Sequence, residues 1–400
     1  MVTTPLPDAP SRLPWSAVWV LSVTQIISWG STFYLIAVLI APLERELGWS
    51  RDAIVGAFSV SMVLSGMMAV PAGMLIDRHG GRAVMGCGSL AAAATLAAMS
   101  QTSSLAVFYA LWIALGIVMA TILYEPAFTV IAASFGTHAR RGITTLTLAG
   151  GFASTVFWPL TQFLIASLGW RHALLVLALF NFAICAPLHL WLLPRRAARL
   201  PSPRDASAAP PQRLRDIVLT RMFLLLALAF AGNMLAFSAL SVHLIPLLNE
   251  RGFTMADAVW LAALVGPMQV AGRVGEMTVG RRWRATQIAL IALALLPLAL
   301  VILSGAGARV ALVIAFITCY GASNGIMTIA RGSIPVELYG HERYGAVNGA
   351  LAAPVLAARS LGPFIASLVW SAAGGYDAVV WTLFAIGIGA LASFGAALRK

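Results

Sequence analysis

The sequence predicts an all-α membrane protein in which twelve transmembrane helices form two six-helix halves. Three observations predict it. The 400 residues are 60% hydrophobic and 10% charged, with a mean hydropathy of +0.89, whereas a water-soluble fold carries about a quarter charged residues. The apolar residues are gathered into runs of about 20 residues, the length that crosses a ~30 Å hydrocarbon core. The basic residues are dense in every second loop and sparse in the others.

The runs fall at about 15–42, 53–76, 83–100, 105–135, 143–168, 172–193, 221–248, 257–280, 286–304, 309–337, 345–371 and 377–398. The first is too long for the core of a signal peptide and no small-residue cleavage site follows it, so it reads as a retained helix. Cys87, Cys185 and Cys319 are scattered among the runs without CxxC or metal-ligand spacing, which suits apolar filling and predicts no metal site. Trp15, Trp49, Trp170, Trp191, Trp283 and Trp370 lie near run ends, where interfacial tryptophans sit.

A net charge of +12 could suggest nucleic acid, but its distribution points elsewhere. Of 26 Lys and Arg, 18 lie at the two chain ends and in the even-numbered loops. Five (Arg45, Arg51, Arg171, Arg251 and Arg309) lie in odd-numbered loops, and three lie inside runs. Positive residues accumulate on the cytoplasmic side. Both termini are therefore expected in the cytoplasm, with the chain as a multi-pass protein of a bacterial inner membrane. The partner is the lipid bilayer and not nucleic acid.

Domain organisation follows. Residues 1–14 form a short cytoplasmic N-terminus and 15–193 the first half. A cytoplasmic linker covers 194–220, containing the Pro-, Ala- and Arg-rich "LPRRAARLPSPRDASAAPPQRLRD". Residues 221–398 form the second half, and six runs on either side of a linker suggest a repeat. "GMLIDRHGGR" after run two and "GRVGEMTVGR" after run eight share Gly, an acid four residues on and a further Gly. In this loop motif Gly73, Asp77, Arg78, Gly80 and Arg82, with Glu276 in the second copy, are suited to locking neighbouring helices by charge-assisted hydrogen bonds.

"GMLIDRHGGR" resembles the loop motif G-x-L-x-D-R-x-G-R-R of the major facilitator superfamily, with Gly81 before the final Arg. Within it, "GWSRDAIVGAFSV" (48–60), the segment 124–171, "GPMQVAGR" (266–273) and "PVELYGHERYGAVNGALAAPVLAARSLGPF" (335–364) resemble monocarboxylate-transporter-like bacterial members. The resemblance covers nearly the whole chain. It implies alternating access to a central cavity and transport of a small organic anion, proton-linked, by a monomer with no cofactor. Two departures stand out. The only lysine is Lys400, so the span-one lysine of the animal members is missing, and their span-eight Asp is Gln269 here.

The buried polar residues carry the site. Arg273, Arg331 and Arg359 lie within runs of the second half. A charged residue at mid-bilayer costs ~2.5–3.5 kcal/mol on insertion scales, and a guanidinium never loses its charge. One reading makes Arg273 and Arg359 substrate contacts, with Gln269, Tyr124, Trp29 and Asn324. The other makes them structural, through pairing or snorkelling. Glu125 and Arg331, at similar depth in runs four and ten, are read as a gate or proton-coupling pair, or as a permanent contact. Trp29, Tyr34, Tyr124 and Trp158 line a cavity wall or simply pack. Gln25, Asn181, Asn233 and His243 suit interhelical hydrogen bonds. No P-loop, HExxH or G-x-S-x-G pattern is present, so no enzyme is expected. An efflux pump for drugs or toxic oxyanions shares the fold and is the alternative.

Overall fold

The computed structural model describes residues 15–135, 139–194, 218–278, 280, 283–339 and 344–399. Most of the expected linker and all of 1–14 lie outside the described residues. Among those residues every regular element is helical, and eleven stretches are long and apolar enough to cross a bilayer. One of them, Arg141–Leu192, has 52 residues, about twice the length a span needs. It reverses at Gly169, whose φ of 78° is a left-handed conformation that favours glycine. It therefore supplies two spans, and the total is twelve.

Span one is Trp15–Leu47 and span two Arg51–His79; span three is Gly81–Met99. Span four is Leu105–Ile122 followed by Tyr124–Phe135. Span five begins with Ala139–Gly150 and continues from Ala153 to the reversal at Gly169, after which span six runs to Leu192. The second half holds span seven, Arg221–Glu250, and span eight, Met255–Ala263 with Val265–Thr278. Spans nine to twelve are Ala285–Ser304, Val310–Tyr339, Tyr344–Ala373 and Tyr376–Leu398. The even number of spans puts Trp15 and Leu398 on one face, termed here the terminal face. Several spans extend a turn beyond their apolar runs because charged residues such as Glu44 and Arg45 continue the helix past the hydrocarbon. N-caps are conventional: Ser50, Thr220 and Thr254 accept from the amides of Ala53, Phe223 and Asp257 at 3.2–3.3 Å.

In a bilayer every backbone polar group needs an internal partner, and this chain breaks its helices several times. Each of three breaks is repaired by a side chain from another span. Pro126 has no N–H for the Ile122 carbonyl, so span four bends at Leu123; Gln25 of span one donates to the Ile122 carbonyl at 2.7 Å. Pro267 likewise frees the Ala263 carbonyl of span eight, which accepts from the Thr155 hydroxyl at 2.8 Å. Span one widens into a π-helical turn at Trp29–Phe33. The Tyr34 carbonyl just beyond it accepts from Trp158 Nε1 at 3.1 Å. The interhelical role expected for Gln25 is thus observed. Asn181 behaves similarly, donating to Ser31 at 2.9 Å.

The two halves meet along spans two and eleven, where Gly56 packs on Phe364 and Gly66 on Leu356. They also meet along spans five and eight, where Gly266 lies against Thr155 and Gly151. At the face opposite the termini, Ala37 and Val38 of span one join the buried core of the second half, with Leu240 and Leu244 of span seven. Among the described residues, spans four and ten have no comparable packing. The two halves are therefore packed together at the face opposite the termini.

Candidate functional site

The breaks described above surround one place, near the middle of the bundle. Gln25 uses its amide on span four and its Oε1 to accept from Trp29 Nε1 at 3.0 Å. That fixes the Trp29 ring, whose polar edge is satisfied and whose face is left for contact. Tyr124 lies with its ring centroid 4.9 Å from Trp29 and stacks on Phe128 at 5.2 Å and 9°. Phe33 and Tyr34 stand 5.2 and 6.4 Å from Trp29. Trp29, Phe33 and Trp158 are buried, whereas Tyr34, Tyr124 and Phe128 are half-buried. The first half therefore contributes an aromatic wall.

The second half contributes the charge. The Arg359 guanidinium carbon lies 5.1 Å from the centroids of both Trp29 and Phe33. This is a cation–π arrangement across the two halves. Arg359 is half-buried, and among the described residues its guanidinium makes no hydrogen bond and no ion pair; its electrostatic neighbours are Glu125, Tyr34 and Tyr124. Arg273 is 5% exposed. It donates through Nη1 to the Thr147 carbonyl of span five, sits beside the Tyr124 hydroxyl, and has a buried Nε without a partner. The Gly150–Gly151 pair makes room for this meeting. A methyl group on Gly150 would sit 2.3 Å from the Tyr124 hydroxyl, and one on Gly151 3.3 Å from Arg273 Nη1.

Of the residues expected at the site, Trp29, Tyr124, Arg273, Arg359 and Glu125 come together. Gln269 is buried where span eight abuts span ten, its carbonyl so close to Gly325 that a methyl group there would lie 2.0 Å away. Asn324, next to Gly325, is half-buried. Arg331 is exposed further along span ten, and Glu125 lies exposed on span four within electrostatic reach of Arg359. In the loop motif, Gly80 (φ 83°) turns the chain between spans two and three. Arg82 donates to the Trp191 carbonyl of span six, and Gly81 packs on Val130 of span four. Gly73 and Arg78 lie in the last turns of span two and Glu276 near the end of span eight. The side chain of Asp77 lies outside the described residues. Among the described residues no cluster of three or more His, Cys, Asp or Glu could hold a metal ion.

Sequence reasoning missed a second cluster, at the face opposite the termini. Arg51 at the start of span two pairs with Glu44 (3.0 Å), donates to the Tyr376 hydroxyl (3.2 Å) and lies 3.9 Å over the Trp370 ring. Its neighbour Asp52 accepts from Ser367 and from Ser371 (2.8 Å) of span eleven. Behind them His243 of span seven has Nδ1 2.8 Å from the Tyr376 hydroxyl and Nε2 2.9 Å from the Pro363 carbonyl. A carbonyl only accepts, so Nε2 carries the proton and Nδ1 accepts from Tyr376. Pro363 lies one turn beyond Arg359. Trp170 and Trp370, at run ends, donate to Glu46 (2.6 Å) and Glu250 (2.7 Å), and Trp170 is buried away from lipid. Tryptophan at a run end serves a helix-end carboxylate as readily as a headgroup. A cavity of about 830 Å³ lies beside this cluster at the same face, lined by Ala37, Ile40, Glu44, Arg51, Gln162 and Glu250 among others.

Two six-helix halves that meet around a charged, aromatic centre, packed together at one end, define a membrane transporter architecture. The family model described as Major Facilitator Superfamily matches residues 21–363, and the chain belongs to that superfamily. Among solved structures, a point mutant of the nucleoside transporter NupG aligns with a TM-score of 0.78 at 13% identity, covering 97% of this chain and 100% of that one. NupG itself aligns at 0.70 and 15% identity, with coverage of 97% and 100%. A bacterial homologue of the human lysosomal transporter Spinster, in an inward-facing and occupied conformation, aligns at 0.69 and 16%, with coverage of 98% and 97%. At these identities the likeness is one of fold. No curated protein matches the sequence significantly.

Proposed function

We propose that the chain is a secondary active transporter of a small, monocarboxylate-like organic anion, proton-linked, working by alternating access as a monomer in a bacterial inner membrane. Its single strongest support is Arg359. A permanent cation stands near the middle of span eleven, half-open, with every guanidinium N–H free of a protein acceptor among the described residues. Arg273, with its unpartnered Nε, adds a second donor nearby. A buried donor left unmade is costly, and a carboxylate matches the guanidinium fork. Glu125 supports proton linkage. It lies within electrostatic reach of Arg359 and, with Arg331 at similar depth in span ten, is assigned to the gate and to proton coupling. The basic bias of the even loops supports a cytoplasmic terminal face, in which case this conformation is open inward. The loop-motif residues, including Asp77 and Glu276, are assigned to conformational locking.

The test is uptake of radiolabelled monocarboxylates into proteoliposomes with and without an imposed pH gradient. The reading expects uptake that rises with a proton gradient and is lost in Glu125→Gln for gradient-driven accumulation while exchange persists. Gradient-independent uptake removes the proton linkage. Flux of cationic or neutral drugs with none of any anion removes the transported class.

A further inference from the structure

The site's geometry narrows the anion further. The inference rests on the anion reading of Arg359 just given, and concerns which kind of carboxylate fits. Trp29 and Phe33, each 5.1 Å from the guanidinium carbon, lie against Arg359 on the first-half side. A carboxylate then engages Arg359 through the in-plane N–H edge, the bidentate geometry of such pairs. Tyr34 and Tyr124, half-buried rings of the first half, neighbour Arg359, and Phe128 extends them by stacking on Tyr124 at 9°. Trp29 offers nothing polar to a ligand, since its Nε1 is bonded to Gln25 at 3.0 Å. A two- or three-carbon acid would satisfy Arg359 and leave those rings in contact with water only. An acid whose carboxylate is conjugated with an aromatic ring is planar throughout. Bound at Arg359, its ring has Tyr34 and Tyr124 as neighbours, where offset or edge-to-face contacts add to the burial of its apolar surface.

We propose that the central site takes a planar aromatic carboxylate, its carboxylate on Arg359 and its ring against Tyr34, Tyr124 and Phe128. The Tyr124 hydroxyl, held beside Arg273 over Gly150, is placed to meet a polar substituent on that ring.

The experiment is equilibrium binding to the full chain purified in detergent, by calorimetry and thermal shift. The probes are benzoate, cyclohexanecarboxylate, acetate, benzamide and uridine. Benzoate and cyclohexanecarboxylate share size and charge and differ in the ring; benzamide keeps the ring and loses the charge. The expected result is benzoate binding at least tenfold tighter than cyclohexanecarboxylate and acetate, with benzamide and uridine weaker still. Arg359→Gln should weaken benzoate at least tenfold; Phe128→Leu should cut the benzoate preference severalfold while leaving acetate unchanged, which holds the test open should the Arg359 variant fail to fold. Equal affinity for benzoate and cyclohexanecarboxylate overturns the aromatic class and leaves the anion reading standing. Benzamide or uridine binding as tightly as benzoate overturns both. No binding by benzoate overturns the proposal.

Discussion

Arg359 is tolerated because its surroundings combine cation–π contact with an opening to water, and its substitution separates charge from shape. Arg359→Lys keeps the charge and loses the fork, so it should retain part of the affinity for an anionic substrate. Arg359→Gln should weaken it roughly ten- to a hundredfold, the loss of one charge-assisted bond worth ~1.5–3 kcal/mol. Binding isotherms on the two purified variants check this. Gly150 offers a test of the opposite kind, by addition. A methyl group there collides with the Tyr124 hydroxyl at 2.3 Å. Gly150→Ala should therefore cost about 1–3 kcal/mol through overpacking, and Gly150→Ala with Tyr124→Phe should recover part of that in thermal unfolding. The depth of Arg359 is legible in the sequence because bilayer thickness converts residue count into distance. The role of Gly150 is not, because nothing near it in sequence says which ring arrives from span four.

At the scale of single helices the same contrast holds. Pro126 and Pro267 announce that the carbonyls of Ile122 and Ala263 lack a partner, so the need for a donor is readable from sequence. Which residue answers is a matter of three-dimensional neighbours, and Gln25 and Thr155 lie about a hundred residues away. The twelve spans are readable almost to their ends, and the reversal at Gly169 was expected between runs five and six. The π-helical turn at Trp29–Phe33 carries no proline to announce it. A definite consequence attaches to Gln25. Gln25→Leu preserves volume and leaves the Ile122 carbonyl unpaired and the Trp29 Nε1 without its acceptor. It should lower stability by ~1–3 kcal/mol, seen as a drop in melting temperature. Gln25→Glu keeps an acceptor for Trp29 and loses the donor, so it should fall between the two.

Across the whole molecule, closure is held at one face by few groups. Arg51 and Asp52 from the first half meet Ser367, Trp370, Ser371 and Tyr376 from the second, and opening that face breaks all these contacts together. Asp52→Ala and Arg51→Ala should each shift the population toward the conformation open there. In a background with Cys87, Cys185 and Cys319 replaced, the alkylation rate of Ala41→Cys, on the wall of the cavity beside the cluster, should rise severalfold. An unchanged rate in both variants means the cluster does not hold the face shut. The carbonyl of Ala263 behaves differently. Thr155 grips it from the other half at 2.8 Å, and Gly266 brings the backbones together beside it, well away from either membrane surface. A contact at mid-depth moves little when two bodies rock, as the pin of a pair of scales moves little while the pans swing. On the proposed alternating-access reading, Thr155 and Ala263 should act as a fulcrum. Spin labels flanking it on spans five and eight should report one distance in every state of the transport cycle, while labels at the two membrane faces report two.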